Sequence, residues 1–513
     1  MNKQKKSAGY PAANRSRMPM TGLDWFGLAM LVLLGVCSLV LFIKLLVTGM
    51  LTNLLLIVLV AALLIFNGVN AWAQIPRRRN KMPKLVCSII SLVLSFVMIY
   101  GVVAAGSIQN ALMNISGKLV EKETTYVVVM EDDPAQTIYD AVNYRFGSLS
   151  YAQEKNTKAL TESVTSFEPD TSPYGTITEL ADALYDDEVD AIMLNAGHMA
   201  ILEDMDGYES FKEQTRILYE FTTEREVSGT KPNKAITTEP FVVYCSGIDA
   251  RNPDITATSL SDVNILALIN PRSHQILLIN TPRDYYLPLV SEPFTGMPDK
   301  LTHAGGIGIQ ESMDVLSNFY GVKPSYYVRI NFTGMEQIVD ALGGIDVMSP
   351  CDFTTASIEM PDYDYRVQYS FTEGMNHLNG EEALAFSRER KSFALGDIQR
   401  GKNQMAVIKA IVDKATSPQI LSSYKSLLQA VEGCFATNMP YEDISALVKM
   451  QLNNMAEWNI TSYSVTGYGD TQPCPSAGGQ ELFVLAPSEE DKLVAQTLID
   501  QLMTDQVPTL PEE

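Results

Sequence analysis

Residues 241–251 have the sequence FVVYCSGIDAR, and this short stretch indicates both the fold and the chemistry of the chain. Phe241–Cys245 is an apolar run rich in aromatic and β-branched residues, which is the pattern of a buried strand. A Gly-Ile-Asp turn and then Arg251 follow the run. Charged residues at the end of a strand predict a sheet that presents functional side chains at its edge.

On the C-terminal side, further apolar runs alternate with helical stretches. This alternation predicts an α/β sandwich domain over residues 237–505, in which helices flank a central mixed sheet. A last strand is expected near 460–465 and a last helix near 489–503. The elements predicted between them are Val263–Ile269, Gln275–Ile279, Gln310–Tyr320, Ser325–Ile330 and Met335–Leu342.

On the N-terminal side, residues 119–230 predict a smaller α/β unit, separated from the first by a Gly- and Pro-containing linker at 229–240. Thr176–Asp186 is expected to be a helix, because its apolar residues recur with helical spacing after a capping threonine. No catalytic constellation is visible in this unit. A structural spacer is the favoured interpretation, and a ligand sensor is the alternative.

Three apolar runs precede both units, at residues 25–47, 51–69 and 85–105. Each is close to the length of about 20 residues that crosses a bilayer as a helix. We therefore predict a cytoplasmic tail and three transmembrane helices over residues 1–110. A cleaved signal peptide is disfavoured, because the first run is long and two more spans follow it.

The distribution of charge predicts the orientation. The net charge is −22, but residues 1–84 contain eleven lysines and arginines and a single acid, Asp24, which gives +10 and leaves −32 for the remainder. The basic residues cluster before the first span and between the second and third, so both segments are expected in the cytoplasm. The domains after the third span then lie outside the cell membrane. Their acidic charge argues against nucleic acid as a partner.

Charged residues cluster at predicted strand ends and in loops of the C-terminal domain. Several arginines at one site could neutralise a pyrophosphate, since guanidinium groups bind phosphate oxygens as a fork. Two carboxylates, Asp249 and Asp262, could hold a divalent cation against the same phosphates. The segments concerned are Gly247–Arg251, Ser261–Asp262, Pro282–Asp284, Ser387–Lys391 and Gly396–Gln404.

Other kinds of site are not indicated. The sequence has no G-x-S-x-G elbow, H-E-x-x-H motif or Walker A loop. The four histidines are far apart, and His303 is expected to serve structure rather than chemistry. The six cysteines have no metal-type spacing. A Cys434–Cys474 disulfide is one interpretation of the soluble cysteines, and buried free thiols are the other.

Taken in order, these motifs make residues 241–412 resemble the LytR-CpsA-Psr family. They are Gly-Ile-Asp-Ala-Arg, Ser-Asp, Thr-Pro-Arg-Asp, Asp-Lys-Leu-Thr-His-Ala, Asp-Ala-Leu-Gly-Gly-Ile-Asp, Arg-x-Arg and Gly-Asp-x-x-Arg-x-x-x-Gln. The three spans before an accessory unit resemble the capsule-type, CpsA-like branch. The resemblance implies a phosphotransferase that moves a glycopolymer, of capsule or teichoic-acid type, from undecaprenyl pyrophosphate to peptidoglycan in a Gram-positive type of envelope.

The resemblance also implies a tunnel for the polyprenyl chain and roles for individual residues. Asp249 and Asp262 would position Mg²⁺ or Mn²⁺. Asp397 would orient an arginine or act as general base on the attacking sugar hydroxyl. The residues expected to bind pyrophosphate are Arg251, Arg283, Arg388, Arg390, Arg400, Asn403 and Gln404.

Two positions depart from the family pattern. Leu260 and Asn403 each stand where the family often has a residue that would add a phosphate contact. Asn403 occurs in CpsA-like members and is interpreted as a feature of that branch. Two other functions stay open from the sequence: a polyprenyl-pyrophosphate phosphohydrolase that uses the same site with water, and a non-catalytic envelope sensor.

Overall fold

The computed structural model divides the chain into two units, residues 1–107 and 108–513, which are described separately. The residues that the structure describes are 20–49, 51–74, 81–117, 120–203, 205–227, 230–248, 255–356, 358–359, 366–394, 396–417, 420, 426–427, 430 and 433–511.

Three long helices begin the chain: α1 (Gly22–Thr48), α2 (Asn53–Ala73) and α3 (Met82–Ile115). Each is long and apolar enough to cross a membrane by length and composition. They cover most or all of the three predicted spans, and α3 continues ten residues beyond the third apolar run. The fold class of three N-terminal helices followed by α/β structure is thus confirmed.

A buried ion pair joins two of these helices within the first unit. Asp24, in the first turn of α1, pairs with Lys84, in the first turn of α3, and both side chains are at least nine-tenths buried. The starts of α1 and α3 therefore lie at the same end of the helical unit. This placement agrees with two basic segments on one side of a membrane.

The second unit opens with a five-stranded sheet, here called the accessory sheet, in the order β3-β2-β4-β1-β5. Strands β2, β3 and β4 are parallel neighbours, whereas β1 pairs antiparallel with β4 and β5. Its elements are β1 (Val120–Met130), β2 (Arg145–Leu149), α4 (Gln153–Ser163), β3 (Asp170–Tyr174), α5 (Ile177–Tyr185), β4 (Ala191–Asn195), α6 (Ala196–Glu203), α7 (Phe211–Gln214) and β5 (Thr215–Glu226). Helix α5 matches the predicted helix, and Thr176 caps it by accepting a hydrogen bond from the amide of Glu179.

A six-stranded sheet, the core sheet, follows in the order β18-β11-β6-β7-β8-β19, with both parallel and antiparallel pairs. Its strands are β6 (Phe241–Ile248), β7 (Ser261–Asn270), β8 (Gln275–Thr281), β11 (Tyr326–Asn331), β18 (Phe435–Thr437) and β19 (Asn459–Ser464). The helices around it are α8 (Leu301–Ile307), α9 (Ile309–Tyr320), α10 (Phe332–Ala341), α11 (Gly380–Arg388), α12 (Asp397–Thr416), α13 (Tyr441–Asn454) and α14 (Glu489–Met503).

Helices cover both faces of the core sheet, as the apolar strands require. On β6, Val242 and Tyr244 face a cluster with α8, α9 and α14. The alternate residues Phe241 and Val243 face a second cluster with α12 and α13. A central strand that is buried on both faces needs an almost continuous apolar sequence, which is what the opening stretch provides.

Short strands complete the second unit. The hairpin β20 (Gly467–Cys474) and β21 (Gln480–Pro487) lies between the last core strand and the last helix. The other pairs join β9 to β10, β12 to β17, β13 to β16 and β14 to β15. Their bounds are β9 (Tyr286–Pro288), β10 (Pro298–Lys300), β12 (Ile345–Ser349), β13 (Phe353–Thr354), β14 (Ile358–Glu359), β15 (Arg366–Val367), β16 (Ser370–Phe371) and β17 (Gly374–Leu378).

The accessory and core sheets are tied together by a buried carboxylate. Glu121 on β1 accepts hydrogen bonds from Arg329 on β11 (2.8 Å), from Arg225 on β5 (2.7 Å) and from the amide of Ile309 (3.1 and 3.2 Å). The side chains of Glu121 and Arg329 are each only 3% exposed. The accessory sheet is thus packed against the core sheet at this point.

All six cysteines are free thiols, so the Cys434–Cys474 disulfide prediction is wrong. The two residues pack in different places. Cys434 fits against Gly334 on α10, where an added Cβ would lie 2.8 Å from its sulfur. Cys474 lies in the cluster between the accessory sheet and the C-terminal hairpin. The alternative interpretation, buried free thiols, is the correct one for both.

Candidate active site

Most of the predicted site residues line one cavity of about 450 Å³, here called the arginine pocket. The predicted residues that line it are Asp262, Arg283, Arg388, Arg390, Arg400 and Gln404. The residues that were not predicted are Ala200, Glu203, Ser259, Leu260 and Phe332. Segments separated by up to about 200 residues of sequence therefore converge on one place.

Strand register brings the first two of these residues together. Strands β7 and β8 are antiparallel, and Asn264 lies opposite Thr281. Continuing this register places Asp262, at the start of β7, beside Arg283, which follows the end of β8. The Arg283 guanidinium donates to the Asp262 carboxylate at 2.9 Å. Arg283 also lies 3.8 Å from Asp284, which in turn pairs with Lys300 at 3.2 Å, so its orientation is held from two sides.

The Arg-x-Arg motif is positioned by the residue between the two arginines. Glu389 is buried, and its carboxylate accepts hydrogen bonds from the amides of Ala356 (2.6 Å) and Ser392 (2.9 Å). Burial alone would raise the pKa of Glu389, but these backbone hydrogen bonds lower it below its usual value. The backbone at Glu389 is extended, so Arg388 and Arg390 project to the same side.

An aromatic ring supports one of these arginines. The Arg388 guanidinium lies over the ring of Phe332 at 4.4 Å from its centroid, which is a cation–π geometry. Phe332 begins α10 directly after strand β11. No local motif marks this phenylalanine, so sequence reasoning missed it.

Helix α12 carries Arg400 and Gln404, which are four residues apart and share the face that lines the pocket. The prediction that Asn403 contacts pyrophosphate needs correction. Asn403 is 2% exposed and is absent from the pocket lining. Its amide donates to the carbonyl of Phe386 at 3.2 Å, and its carbonyl accepts from Gln399 at 2.9 Å. Asn403 thereby fastens α12 to α11, the helix that ends in Arg388.

Three predicted site residues are beyond what the structure describes. Asp249 and Arg251 lie outside the described residues. Asp397 is the first residue of α12, but its side chain is not described. Their roles stay predictions.

The predicted divalent-metal site can be tested through one of its two carboxylates. Asp262 lines the arginine pocket, where a bound pyrophosphate would add further oxygen ligands. Mg²⁺ is commonly held by one or two carboxylates together with phosphate oxygens and water, so Asp262 fits such a site. In the structure this carboxylate bonds Arg283, and a cation would share it with that arginine.

A second group of possible metal ligands, Asp299, His303 and Cys474, is fully buried. His303 and Asp299 bond each other at 2.6 Å, and both also bond Ser476. Burial and the nearby Asp299 raise the pKa of the Cys474 thiol to about 12. Asp299 and His303 are thus part of a buried hydrogen-bond network with Ser476.

Helix α6 of the accessory sheet contributes to the arginine pocket through Ala200 and Glu203. A Cβ on Gly197 would lie 3.1 Å from the backbone of Gly306, so these two glycines let α6 pack closely on α8. This contact joins residues more than 100 positions apart, and no local signal predicts it. The interpretation of the accessory unit as a spacer with no part in the site is therefore incomplete.

The domain that forms this pocket matches a known protein family. The LytR_cpsA_psr family model matches residues 207–491, more than half of the chain. The chain belongs to the LytR-CpsA-Psr family. The resemblance drawn from the motifs is confirmed, and the family match includes the arginine pocket's core-sheet, α11 and α12 residues but not α6.

Two curated relatives are teichoic acid transferases by name. A polyisoprenyl-teichoic acid–peptidoglycan teichoic acid transferase TagU from Enterococcus faecalis is 34% identical over 210 residues, which are 41% of this chain and 65% of that relative. The TagU of Bacillus mycoides is 30% identical over 231 residues, 45% of this chain and 70% of that relative. The chain thus spans about two thirds of the length of these relatives.

Two solved structures are similar in part. Bacillus subtilis TagV shares 24% identity at a TM-score of 0.41, over 53% of this chain and 99% of that one. Protein gbs0355 from Streptococcus agalactiae shares 28% identity at a TM-score of 0.44, over 55% of this chain and 94% of that one.

Proposed function

We propose that this LytR-CpsA-Psr protein is a membrane-anchored phosphotransferase that moves a glycopolymer from a polyprenyl pyrophosphate carrier to peptidoglycan. The convergence of four arginines with Asp262 and Gln404 on one pocket carries the proposal. The names of the TagU relatives support the same class of donor and acceptor, and make teichoic acid the first polymer to test.

The arginines suit a pyrophosphate because they combine charge with directed hydrogen bonds. A guanidinium presents several N–H donors in a rigid plane, and four of them can neutralise a diphosphate from different sides. Donors that are already oriented stabilise the charge that develops during phosphoryl transfer without further reorganisation. Arg283 and Arg388 are held in this way by Asp262 and Phe332.

The reaction transfers a phosphoryl-linked polymer from one oxygen to another. An acceptor sugar hydroxyl attacks the polymer-side phosphorus and gives up its proton to a base, the bond from phosphorus to the bridging oxygen breaks, and polyprenyl phosphate leaves. Asp262, with the predicted partner Asp249, would hold Mg²⁺ or Mn²⁺. When bound, such an ion would add positive charge beside the phosphates.

The first test measures lipid binding by the full-length chain in detergent. Parent protein, Arg388→Ala/Arg390→Ala and the control Lys391→Ala are supplied with polyprenyl pyrophosphate and Mg²⁺, and retained lipid is measured by mass spectrometry. The double variant is expected to lose the lipid, because two of the four arginines are absent. Lys391 is an exposed cation in the same loop that does not line the pocket, so its replacement is expected to retain lipid.

The second test follows products from a polyprenyl-pyrophosphate-linked saccharide, with and without soluble uncrosslinked peptidoglycan strands. Saccharide attached to the strands supports the transferase. Free saccharide phosphate in both reactions indicates a phosphohydrolase. A parent protein that retains no lipid and forms no product overturns the proposal in favour of a non-catalytic sensor.

A further inference from the structure

A second cavity, of about 410 Å³, lies beside the arginine pocket and belongs to the accessory sheet. We name it the α6–β5 cleft, after the helix and the edge strand that form its walls. Its volume is within the range of small-ligand sites. The lining residues that carry the argument are Tyr126, Met199, Ala200, Glu203, Lys212 and Ile217.

The cleft and the arginine pocket share part of their walls. Ala200 and Glu203, one turn apart on α6, line both cavities. A ligand in the cleft would therefore contact a wall of the arginine pocket. The two cavities can hold two parts of one reacting complex.

The cleft combines apolar surface with uncommitted polar groups. Ile217 lies on the edge strand β5 and is 47% exposed. Its cross-strand partner is Val128 on β1, and the half-buried Tyr126 lies two residues before Val128 on the same strand. Among the described residues, no hydrogen-bonding side-chain partner is found for the Tyr126 hydroxyl, the Glu203 carboxylate or the Lys212 ammonium. Arg216 differs, because its guanidinium donates to the carbonyls of Asp133 and Ala135.

This combination fits a carbohydrate. A sugar ring presents apolar C–H faces, which pack against tyrosine and aliphatic side chains, and hydroxyl groups, which bond charged groups strongly. The carboxylate of Glu203 argues against a further phosphate at the junction, since like charges repel. A neutral sugar hydroxyl, by contrast, can donate a hydrogen bond to this carboxylate while the four arginines bind the phosphates.

We propose that the α6–β5 cleft binds the acceptor glycan and that Glu203, at its junction with the arginine pocket, takes the proton of the attacking hydroxyl. This inference rests on the proposed function. The hydroxyl oxygen bonds to phosphorus, the bond from phosphorus to the bridging oxygen breaks, and the hydroxyl proton passes to the Glu203 carboxylate. Only the acceptor brings a proton that must be removed, so the carboxylate favours the acceptor over the donor sugar. Asp397 then keeps its other predicted role of orienting an arginine.

The cleft is tested with Ile217→Arg in the full-length chain in detergent, using a polyprenyl pyrophosphoryl disaccharide as donor and uncrosslinked glycan strands as acceptor. The control is Val142→Arg, which replaces a similarly exposed valine of the same unit that lines neither cavity. The KM for the glycan strands is expected to rise about tenfold or more in Ile217→Arg, with the donor Kd unchanged. The control is expected to match the parent.

Two results overturn the acceptor assignment. A weaker donor Kd with an unchanged acceptor KM places the donor sugar in the cleft, and no change in either constant removes the cleft from the reaction. A parent chain that neither binds nor cleaves the donor is a different failure, because it overturns the proposed function itself.

The role of Glu203 is tested separately with Glu203→Gln. Loss of a general base is expected to lower kcat for transfer by about 10²–10⁴-fold. Donor affinity is expected to stay the same or to increase, because a negative charge leaves the arginine pocket. A merely structural role predicts weaker donor binding together with lower activity. An unchanged kcat overturns the assignment of the proton to Glu203.

Discussion

Arg283 is held in the pocket between Asp262 and Asp284. We predict that Arg283→Ala lowers kcat/KM by about 10²–10³-fold, the usual cost of removing one oriented charge-stabilising donor. The variant also leaves Asp262 without its cationic partner, so donor binding is expected to weaken. Transfer kinetics and a donor-binding titration measure the two effects.

A matched control for this prediction is Arg272→Ala. Arg272 forms an ion pair with Asp505 at 2.8 Å, but its side chain is 51% exposed. Exposed pairs contribute about 1 kcal/mol or less to stability, and Arg272 does not line the pocket. Equal activity of Arg283→Ala and Arg272→Ala would contradict the assigned role.

How much of the site was predictable depended on the residue. Arg283, Arg388, Arg390 and Asp262 could be identified because phosphate chemistry needs those residue types. Gln404 and Asn403 are neighbours of the same polar character, yet one lines the pocket and the other fastens two helices. The face of α12 that packs on α11 decides between them, and local sequence does not specify that packing.

His198 on α6 predicts an acid-sensitive stability. Burial lowers the pKa of His198 to about 4, against an opposing effect of Glu123, and its ring bonds the Tyr151 hydroxyl at 2.9 Å. Between about pH 6.5 and pH 4, His198 is protonated in the unfolded chain but stays neutral in the folded chain. The free energy of unfolding is therefore expected to fall by up to about 3 kcal/mol between these values.

The measurement for His198 is denaturant unfolding at pH 7 and pH 4.5 in the parent and in His198→Gln. The variant is expected to be less stable at pH 7, because the buried bond to Tyr151 is altered, but to lose less stability on acidification. An acid-induced loss of the same size in both proteins would show that another group is responsible.

Among the elements, five of the six core strands and three of the flanking helices were predicted from apolar patterns, whereas two other elements were not. Strand β20 is largely exposed and has no apolar alternation, so its pairing with β21 gives it its structure. Helix α6 is the other element. Its place beside the arginine pocket depends on a close contact with Gly306, which a single sequence cannot reveal.

The buried ion pair between Glu121 and Arg329 is expected to stabilise the packing of the accessory sheet on the core sheet. Glu121→Ala leaves the buried Arg329 guanidinium without its carboxylate partner, although Arg329 still donates to the carbonyl of Ala257 at 3.1 Å. Removing one member of a buried ion pair costs about 3–5 kcal/mol, and we expect that loss in the free energy of unfolding. Chemical denaturation of the full-length chain measures it.

The double variant Glu121→Met/Arg329→Met separates two effects. One is the loss of the ion pair, and the other is the burial of a charge that has lost its partner. The double variant is expected to recover much of the lost stability, because no charge is then buried alone. Glu226→Ala, an exposed acid beside Arg225 at the C-terminal end of β5, is the matched control and is expected to change stability by less than about 0.5 kcal/mol. A Glu121→Ala variant as stable as this control would contradict a joint between the sheets.

For the whole molecule, charge and the helical unit together define an orientation that remains to be tested. The starts of α1 and α3 lie at one end of the helical unit, because Asp24 pairs with Lys84. Basic segments next to spans stay in the cytoplasm. Three spans then place the acidic residues from α3 onward on the outer side, where a polyprenyl-linked polymer and peptidoglycan meet.

The cysteines allow this orientation to be measured without introducing a label site. Cys351 is exposed, whereas the other five thiols are buried or partly buried. We predict that a membrane-impermeant maleimide labels the protein in intact cells and that Cys351→Ser abolishes most of this labelling. The reagent reaches Cys351 in intact cells only if Cys351 lies on the outer side of the cell membrane. Labelling that appears only after the membrane is permeabilised would reverse the orientation, and with it the access of this site to peptidoglycan.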